Sequence, residues 1–391
     1  MAVYLDHAAT SPIRPEVAAE FARHLGVVGN PSAIHSFGQS ARRLVEEARE
    51  QLAAVVGCNR NEVVFTSGGT ESDNLAVKGL FWQRVADSNG ARRVIITAET
   101  EHHAILDACQ WLERHDEAEL VFVPVDHRGV LDLDWLANFL AERGSEVALV
   151  TLMWANNETG VITDIPRVCA LAKPHDIPVH TDAVAAFGHI PLDFGTSGLA
   201  AMSITAHKVG GPVGIGALIV SRSTKMTALL HGGGHERGMR SGSLNAPAAK
   251  AFALAAELAA VEVADRTSEF EALRDRLISG VLSIAPDAVL TRGDAVALPN
   301  NAHFTFAGCT GDSLLFLLDM AGVSISTGSA CTAGVPRASH VVMATGRAEN
   351  EAIGSMRVTL GWNTTSDDID ALLEALPEAY AGAKKAGLNA R

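Results

Sequence analysis

An α/β fold, with a large mainly parallel sheet and a smaller α+β domain, follows from three features of the sequence. Short apolar β-rich runs alternate with amphipathic segments. The character of the chain changes after about Asn245. The length of 391 residues exceeds what one hydrophobic core comfortably serves, so two domains are expected.

The runs come in order as Val63 to Thr66, Val94 to Thr97, Leu120 to Val125, Ala148 to Met153, Ile177 to Asp182 and Ile215 to Val220. Strands alternating with helices make βαβ units, which build a parallel sheet. Between the runs, Leu44, Ala48, Leu52 and Val55 share one helical face, and Gly57 is placed to end that helix. Beyond Asn245, the Ala- and Leu-rich stretch from Pro247 to Ala264 reads as a long helix. Ser268 with Glu271 resembles a capping box that opens a second one. Asn301 to Phe306 alternates polar and apolar side chains, the pattern of a half-buried strand. Ile369, Leu372, Leu373 and Leu376 follow helical spacing, with Ser366 as the expected cap. The expected division is residues 15–255 for the large domain, and residues 1–14 with 256–391 for the small one.

Composition narrows the functions. Charge sums to 31 − 45 = −14, which argues against nucleic-acid and anionic-membrane partners. Met1 to Thr10 lacks a basic stretch followed by an apolar one, and no apolar run is long enough to span a bilayer. The cysteines Cys58, Cys109, Cys169, Cys309 and Cys331 show no CxxC spacing, and their count is odd. A reducing, cytoplasmic location is expected, without a disulfide frame or a four-cysteine zinc site. Cys58, Cys109, Cys169 and Cys309 read as buried small hydrophobes. His103, His115, His127 and His235 read as surface or structural residues.

Four segments carry chemistry. Thr66-Ser67-Gly68-Gly69-Thr70-Glu71-Ser72-Asp73 follows a strand and opens a helical run, so it points N–H groups and hydroxyls where the helix dipole favours an anion. Asp182 in His180-Thr181-Asp182-Ala183 stands at the C-terminal end of a parallel strand, where α/β enzymes bind ligands. Lys208 in Thr205-Ala206-His207-Lys208-Val209-Gly210-Gly211 stands near an apolar strand end, which lowers a lysine pKa and suits an imine-forming amine. Cys331 in Ser326-Thr327-Gly328-Ser329-Ala330-Cys331-Thr332 has small neighbours, unlike a core thiol, and reads as a loop nucleophile. Taken singly, these are common features: a turn, a helix cap, a surface lysine, an incidental loop cysteine. Together and in this order, the first three supply what pyridoxal phosphate needs: a phosphate cradle, an acid for the ring nitrogen and a lysine.

Several motifs make the resemblance specific. They are Tyr4-Leu-Asp-His-Ala-Ala-Thr10, Ser67-Gly-Gly-Thr-Glu-Ser72, Glu101-His102, Asn156-Asn157-Glu158-Thr-Gly160, His207-Lys208, Gly232-Gly-Gly-His-Glu-Arg-Gly-Met-Arg-Ser-Gly242 and Gly328-Ser-Ala-Cys331. Over nearly the whole chain the sequence resembles the cysteine desulfurases of the NifS/IscS group, within the class V aminotransferase-like enzymes. The resemblance implies an aspartate aminotransferase-like fold of pyridoxal-phosphate-dependent transferases. It also implies conversion of L-cysteine to L-alanine, with the sulfur left on Cys331 as a persulfide.

By resemblance, Lys208 forms the covalent link to the cofactor, Asp182 pairs with the ring nitrogen, and His102 stacks on the ring as an acid–base group. Gly69, Thr70, Thr205 and His207 match phosphate-binding positions, and Ser243 matches a residue that reaches the phosphate across a homodimer interface. Asn157 and Arg357 match positions near the substrate, Arg357 pairing with its carboxylate. The implied sulfur acceptor is an iron–sulfur scaffold or a tRNA-thiolation protein. No metal site is expected in the chain itself, apart from a contact of Cys331 with a cluster carried by a partner. Two positions depart from the family pattern: Ala185 where glutamine is usual, and Thr205 where serine is common. The first is expected to retune the rate without changing the reaction. Two rival readings stay open: another class V reaction such as selenocysteine lysis, in which Cys331 is dispensable, and a non-catalytic relative that binds no cofactor.

Overall fold

The computed structural model describes residues 2–328 and 338–389. Cys331 lies outside the described residues.

The strands are β1 (Val3–Tyr4), β2 (Val63–Thr66), β3 (Val94–Thr97), β4 (Glu119–Phe122), β5 (Val147–Thr151), β6 (Val179–Asp182), β7 (Ala201–Thr205), β8 (Gly216–Val220), β9 (Ala288–Leu290), β10 (Asn301–Phe306), β11 (Val323–Ser324) and β12 (Ser355–Thr359). β2 to β8 form a seven-stranded sheet in the order β2-β8-β7-β6-β5-β3-β4. β8 runs antiparallel to both neighbours, and the other pairings are parallel. Every residue of β2, β3, β5, β6, β7 and β8 is buried, because helices cover both faces. This explains why these strands are continuous apolar runs. It also brings the C-terminal ends of β2, β3, β5, β6 and β7 to one edge.

One core cluster lies under helix Ser36–Val55 and the first half of helix Ala246–Ile284, and includes Leu52, Ile204 and Phe252. A second covers the opposite face through helices Gly69–Asp87 and His103–Asp116, with Leu80, Phe81 and Ile105. A third, with Phe304, Leu314 and Leu372, packs around the antiparallel sheet β12-β10-β9. β1 and β11 form a separate parallel pair.

Three expectations need correction. Ser268 and Glu271 cap nothing, because one helix runs unbroken from Ala246 to Ile284. Its middle is held by Arg266, which meets Glu269 at 2.8 Å and Glu262 at 3.6 Å, and by Thr267, whose hydroxyl donates to the Val263 carbonyl at 2.6 Å. A division near residue 255 therefore falls inside a helix, whose apolar side chains pass from the first cluster to the third between Ala259 and Phe270. Second, β10 is buried along its whole length, not half-buried. Its polar side chains are covered too: the Asn301 amide donates to the Glu158 carbonyl at 3.2 Å, and His303 Nδ1 meets the Thr291 hydroxyl at 2.8 Å. Third, Ser366 is the first helical residue rather than the cap. Thr365 precedes it, and its N–H and hydroxyl both donate to Asp368, at 2.8 and 2.9 Å.

Candidate active site

The sheet edge forms one wall of a cavity of about 420 Å³. Gly69, Thr70, His102, Asn157, Asp182, Thr205, His207, Lys208 and Arg357 all line it. Ser243 does not; it is exposed. Cys331 lies outside the described residues, although Ser326 and Gly328 on its approach line the cavity.

β2 ends at Thr66, and helix Gly69–Asp87 starts three residues later. Gly68 occupies the cap position with φ of 156°, a backbone that side chains disfavour, and supplies no capping group. The first N–H groups of the helix have no partner within it and remain available to a ligand. Around them, Thr66 Oγ1 and Ser72 Oγ share a 2.7 Å hydrogen bond, and the Ser67 N–H donates to Glu71 at 2.7 Å. Arg240 of the glycine-rich segment holds Glu71 in turn, at 2.7 Å.

Lys208 sits in the loop between β7 and β8. Its ammonium donates to the carbonyls of Ala8 and Ala9, the latter at 2.9 Å. Burial, then the Arg357 charge, pushes its pKa down to about 8, against the pull of Asp182 and Asp6. Asp182 closes β6 and accepts the Val184 N–H at 2.8 Å. Burial raises its pKa, while His102 and Lys208 oppose the rise. His102 caps helix His103–Asp116, with Nδ1 accepting the Ala104 N–H at 3.1 Å. That bond leaves Nε2 as the ring nitrogen that carries the proton in the neutral form. Desolvation lowers its pKa, with Asp182 opposing. Burial pushes His207 down to about 4 as well.

Arg357 reaches the cavity from β12. It donates to the Asn157 carbonyl at 3.0 Å and to Asp6 at 2.7 Å, and its buried Nε has no partner. Asn157 Oδ1 and Asn300 Oδ1 are also buried without partners. Buried polar atoms without partners thus gather on three residues that line one cavity.

Asp6, Asp73, His189, Asn300 and Asn301 belong to this neighbourhood, yet motif reading gave them no role. Asp6 and Asp73 lie inside the N-terminal and Thr66–Asp73 motifs, so a signal existed. His189 and Asn300 carried none. Outside the site, Cys109, Cys169 and Cys309 are buried, whereas Cys58 is half-buried, with its thiol 3.5 Å from the Asn59 carbonyl. Among the described residues no helix is long and apolar enough to cross a membrane.

The aminotransferase class-V family matches residues 3–372. The chain belongs to this family. An IscS-like cysteine desulfurase of Mycobacterium tuberculosis is 47% identical to it over 388 residues, 99% of this chain and 98% of the relative. Cysteine desulfurase IscS of Dictyoglomus turgidum is 41% identical over 375 residues, 96% of this chain and 93% of the relative. Among solved structures, a NifS-like protein superposes with a TM-score of 0.89 at 32% identity, covering 97% of this chain and 100% of that one. SspA in complex with cysteine gives 0.79 at 30% identity, covering 92% and 98%. Within this family the chain carries Ala185, which lines the cavity, directly after Val184.

Proposed function

We propose that this class-V enzyme is a cysteine desulfurase that takes sulfur from L-cysteine onto Cys331 and releases L-alanine, with pyridoxal phosphate as cofactor. The observation that carries the reading is the convergence of Lys208, Asp182, Arg357 and the uncapped helix start at Gly69 on one cavity. Near-full-length identity to proteins named as cysteine desulfurases supports it.

The residues fit the cofactor. The free N–H groups at Gly69 and Thr70, with Thr205 and His207, would hold a phosphate. Asp182 would accept the ring N–H, and His102 would stack on the ring. Lys208 would form the covalent link, since a pKa near 8 leaves much of its amine neutral. Pyridoxal phosphate, when bound, supplies an electron sink for chemistry at the substrate α-carbon.

The chain's own groups do the rest. Arg357, which lines the cavity, would offer its guanidinium to the substrate carboxylate, while Asp6 and the Asn157 carbonyl fix the guanidinium plane. Lys208, once free, takes the α-proton. The Cys331 thiolate attacks the substrate sulfur, and the carbon–sulfur bond breaks. A persulfide is left on Cys331, and the remaining carbon skeleton becomes alanine.

The same reading divides the chain into a cofactor-binding domain (15–255) and a small domain (1–14 with 256–391). The separate apolar clusters around the two sheets support two domains, with the first cluster running on to Ala259. It also takes the enzyme as a cytoplasmic homodimer, with the exposed Ser243 reaching the partner subunit's phosphate, and an iron–sulfur scaffold or a tRNA-thiolation protein as sulfur acceptor.

The test is alanine and sulfide release from L-cysteine, with a reductant, by wild type and Cys331→Ser, each checked for bound cofactor. The expected result is both products from wild type, and a variant that keeps its yellow colour but releases no sulfide. A variant that turns over as well as wild type replaces the desulfurase reading with a lyase.

A further inference from the structure

Beneath the cavity lie carboxyl groups that the mechanism above leaves without a role. Asp73 comes from helix Gly69–Asp87, and Glu101 from the turn after β3. Each is 1% exposed. Asp73 Oδ1 and Glu101 Oε2 are buried without any hydrogen-bond partner, and Asp73 also lines the cavity. Both lie close enough to Asp182 to feel its charge.

The groups around them offer no counter-charge. His180 Nε2 is 3.8 Å from Asp73 Oδ1, but the ring is held between Thr151 at 2.9 Å and Ser203 at 3.0 Å. Complete burial pushes that ring down to about 3, so it is neutral. Glu101 Oε1 accepts the Met153 N–H at 2.7 Å, and the nearby Cys109 thiol is itself raised by burial and by Glu101. His340 meets the Glu101 carbonyl, not its carboxyl group. The Lys208 charge acts on Asp182 rather than on these two acids. Among the described residues no Lys or Arg pairs with Asp73 or Glu101. A carboxyl group buried without a cation, and with only one donor (Ser203 for Asp73, the Met153 N–H for Glu101), takes up a proton rather than stay charged. Were all three ionised, their repulsion would drive Asp182 to hold a proton too.

We propose that Asp73 and Glu101 are un-ionised acids that act as positioning residues for Asp182, leaving it the single ionised carboxyl group of the cluster that a bound ring nitrogen meets. The last clause rests on the functional reading above; the protonation of the two acids does not.

Infrared spectra of wild type, Asp73→Asn and Glu101→Gln test it, recorded at about pH 8, where exposed acids are ionised. They are taken with and without pyridoxal phosphate. Wild type should show the carbonyl stretch of un-ionised carboxylic acid, and each variant should lose one component of it. Wild type without that band, or variants that retain its full intensity, overturns the proposal. In the loaded enzyme, the pH midpoint of cofactor absorbance in Asp73→Asn should stay within about one unit of wild type. A larger displacement means that Asp73 is charged, and overturns it as well. If Asp73→Asn fails to fold, the wild-type and Glu101→Gln spectra still decide. If the chain binds no pyridoxal phosphate, the functional reading falls while the infrared result on the free protein stands.

Discussion

At the scale of single residues, the site is governed by what each charge loses on burial and what partner restores it. Lys208 is the clearest case. Its pKa falls from 10.5 to about 8 because its ammonium is desolvated and faces Arg357, and the charges of Asp182 and Asp6 only partly compensate. Attack on an aldehyde requires the neutral amine. Pyridoxal phosphate uptake by cofactor-free protein should therefore accelerate as pH rises through about 8, then level off. Stopped-flow absorbance measures this, and a rate that stays flat across that window contradicts it. The sign for stability is the same. Between the folded value and the unfolded value of 10.5 the unfolded chain binds more protons, so this residue's contribution to stability grows with pH over that window. Arg357 shows the complementary arrangement. It is buried with one carboxylate, Asp6, so its charge is balanced before any substrate arrives.

At the scale of elements, the site depends on how closely backbones approach at the sheet edge. The turn after β2 crosses the start of β8, and a Cβ on Gly216 would sit 2.7 Å from Gly68 Cα and 2.8 Å from the Ile204 carbonyl oxygen. Backbone on both sides leaves nothing free to rotate away. Gly216→Ala should cost about 1–3 kcal/mol, the usual range for overpacking. It should also loosen cofactor binding, because the shift moves the helix start at Gly69. A lower urea midpoint together with faster release of pyridoxal phosphate is the expected pair of results. An unchanged release rate would separate the turn from the cradle. The same element shows what local signals convey. Gly68 and Gly69 announce a tight turn in the sequence, but the close approach of Gly68 to Gly216, almost 150 residues later, belongs to the assembled sheet.

At the scale of the molecule, Arg14 ties the site loop to the long helix Ala246–Ile284. Its guanidinium makes two 2.7 Å bonds to Glu262 and donates to the Val209 carbonyl at 3.0 Å, one residue beyond Lys208. The Trp362 ring lies 5.4 Å from it, and the indole N–H donates to the Pro12 carbonyl at 2.9 Å. Glu262→Gln removes the charge while keeping the shape. It should lower stability by about 2 kcal/mol, the range for weakening a largely buried pair that keeps some solvent. A urea midpoint shift at constant slope measures it. No shift would mean that the bridge is redundant with the surrounding apolar packing.

The sequence by itself determined the alternation of strands and helices, the turn that opens the helix after β2, the strand-end Asp182 and the lysine after β7. These are local: apolar period, turn residues and short motifs are written in neighbouring positions. Arg357 and Asn157 were assigned through the family resemblance, since nothing in their local patterns marks them. Tertiary structure alone decided that helix Ala246–Ile284 runs through the capping signal at Ser268, because packing on two successive cores outweighs a local cap. It alone decided that β10 is buried on both faces. It also brought Asp6 to Arg357, and Asp73 and Glu101 close to Asp182. Burial and counter-charge depend on residues far apart in the chain, so the charges of this site became legible only once the chain had folded.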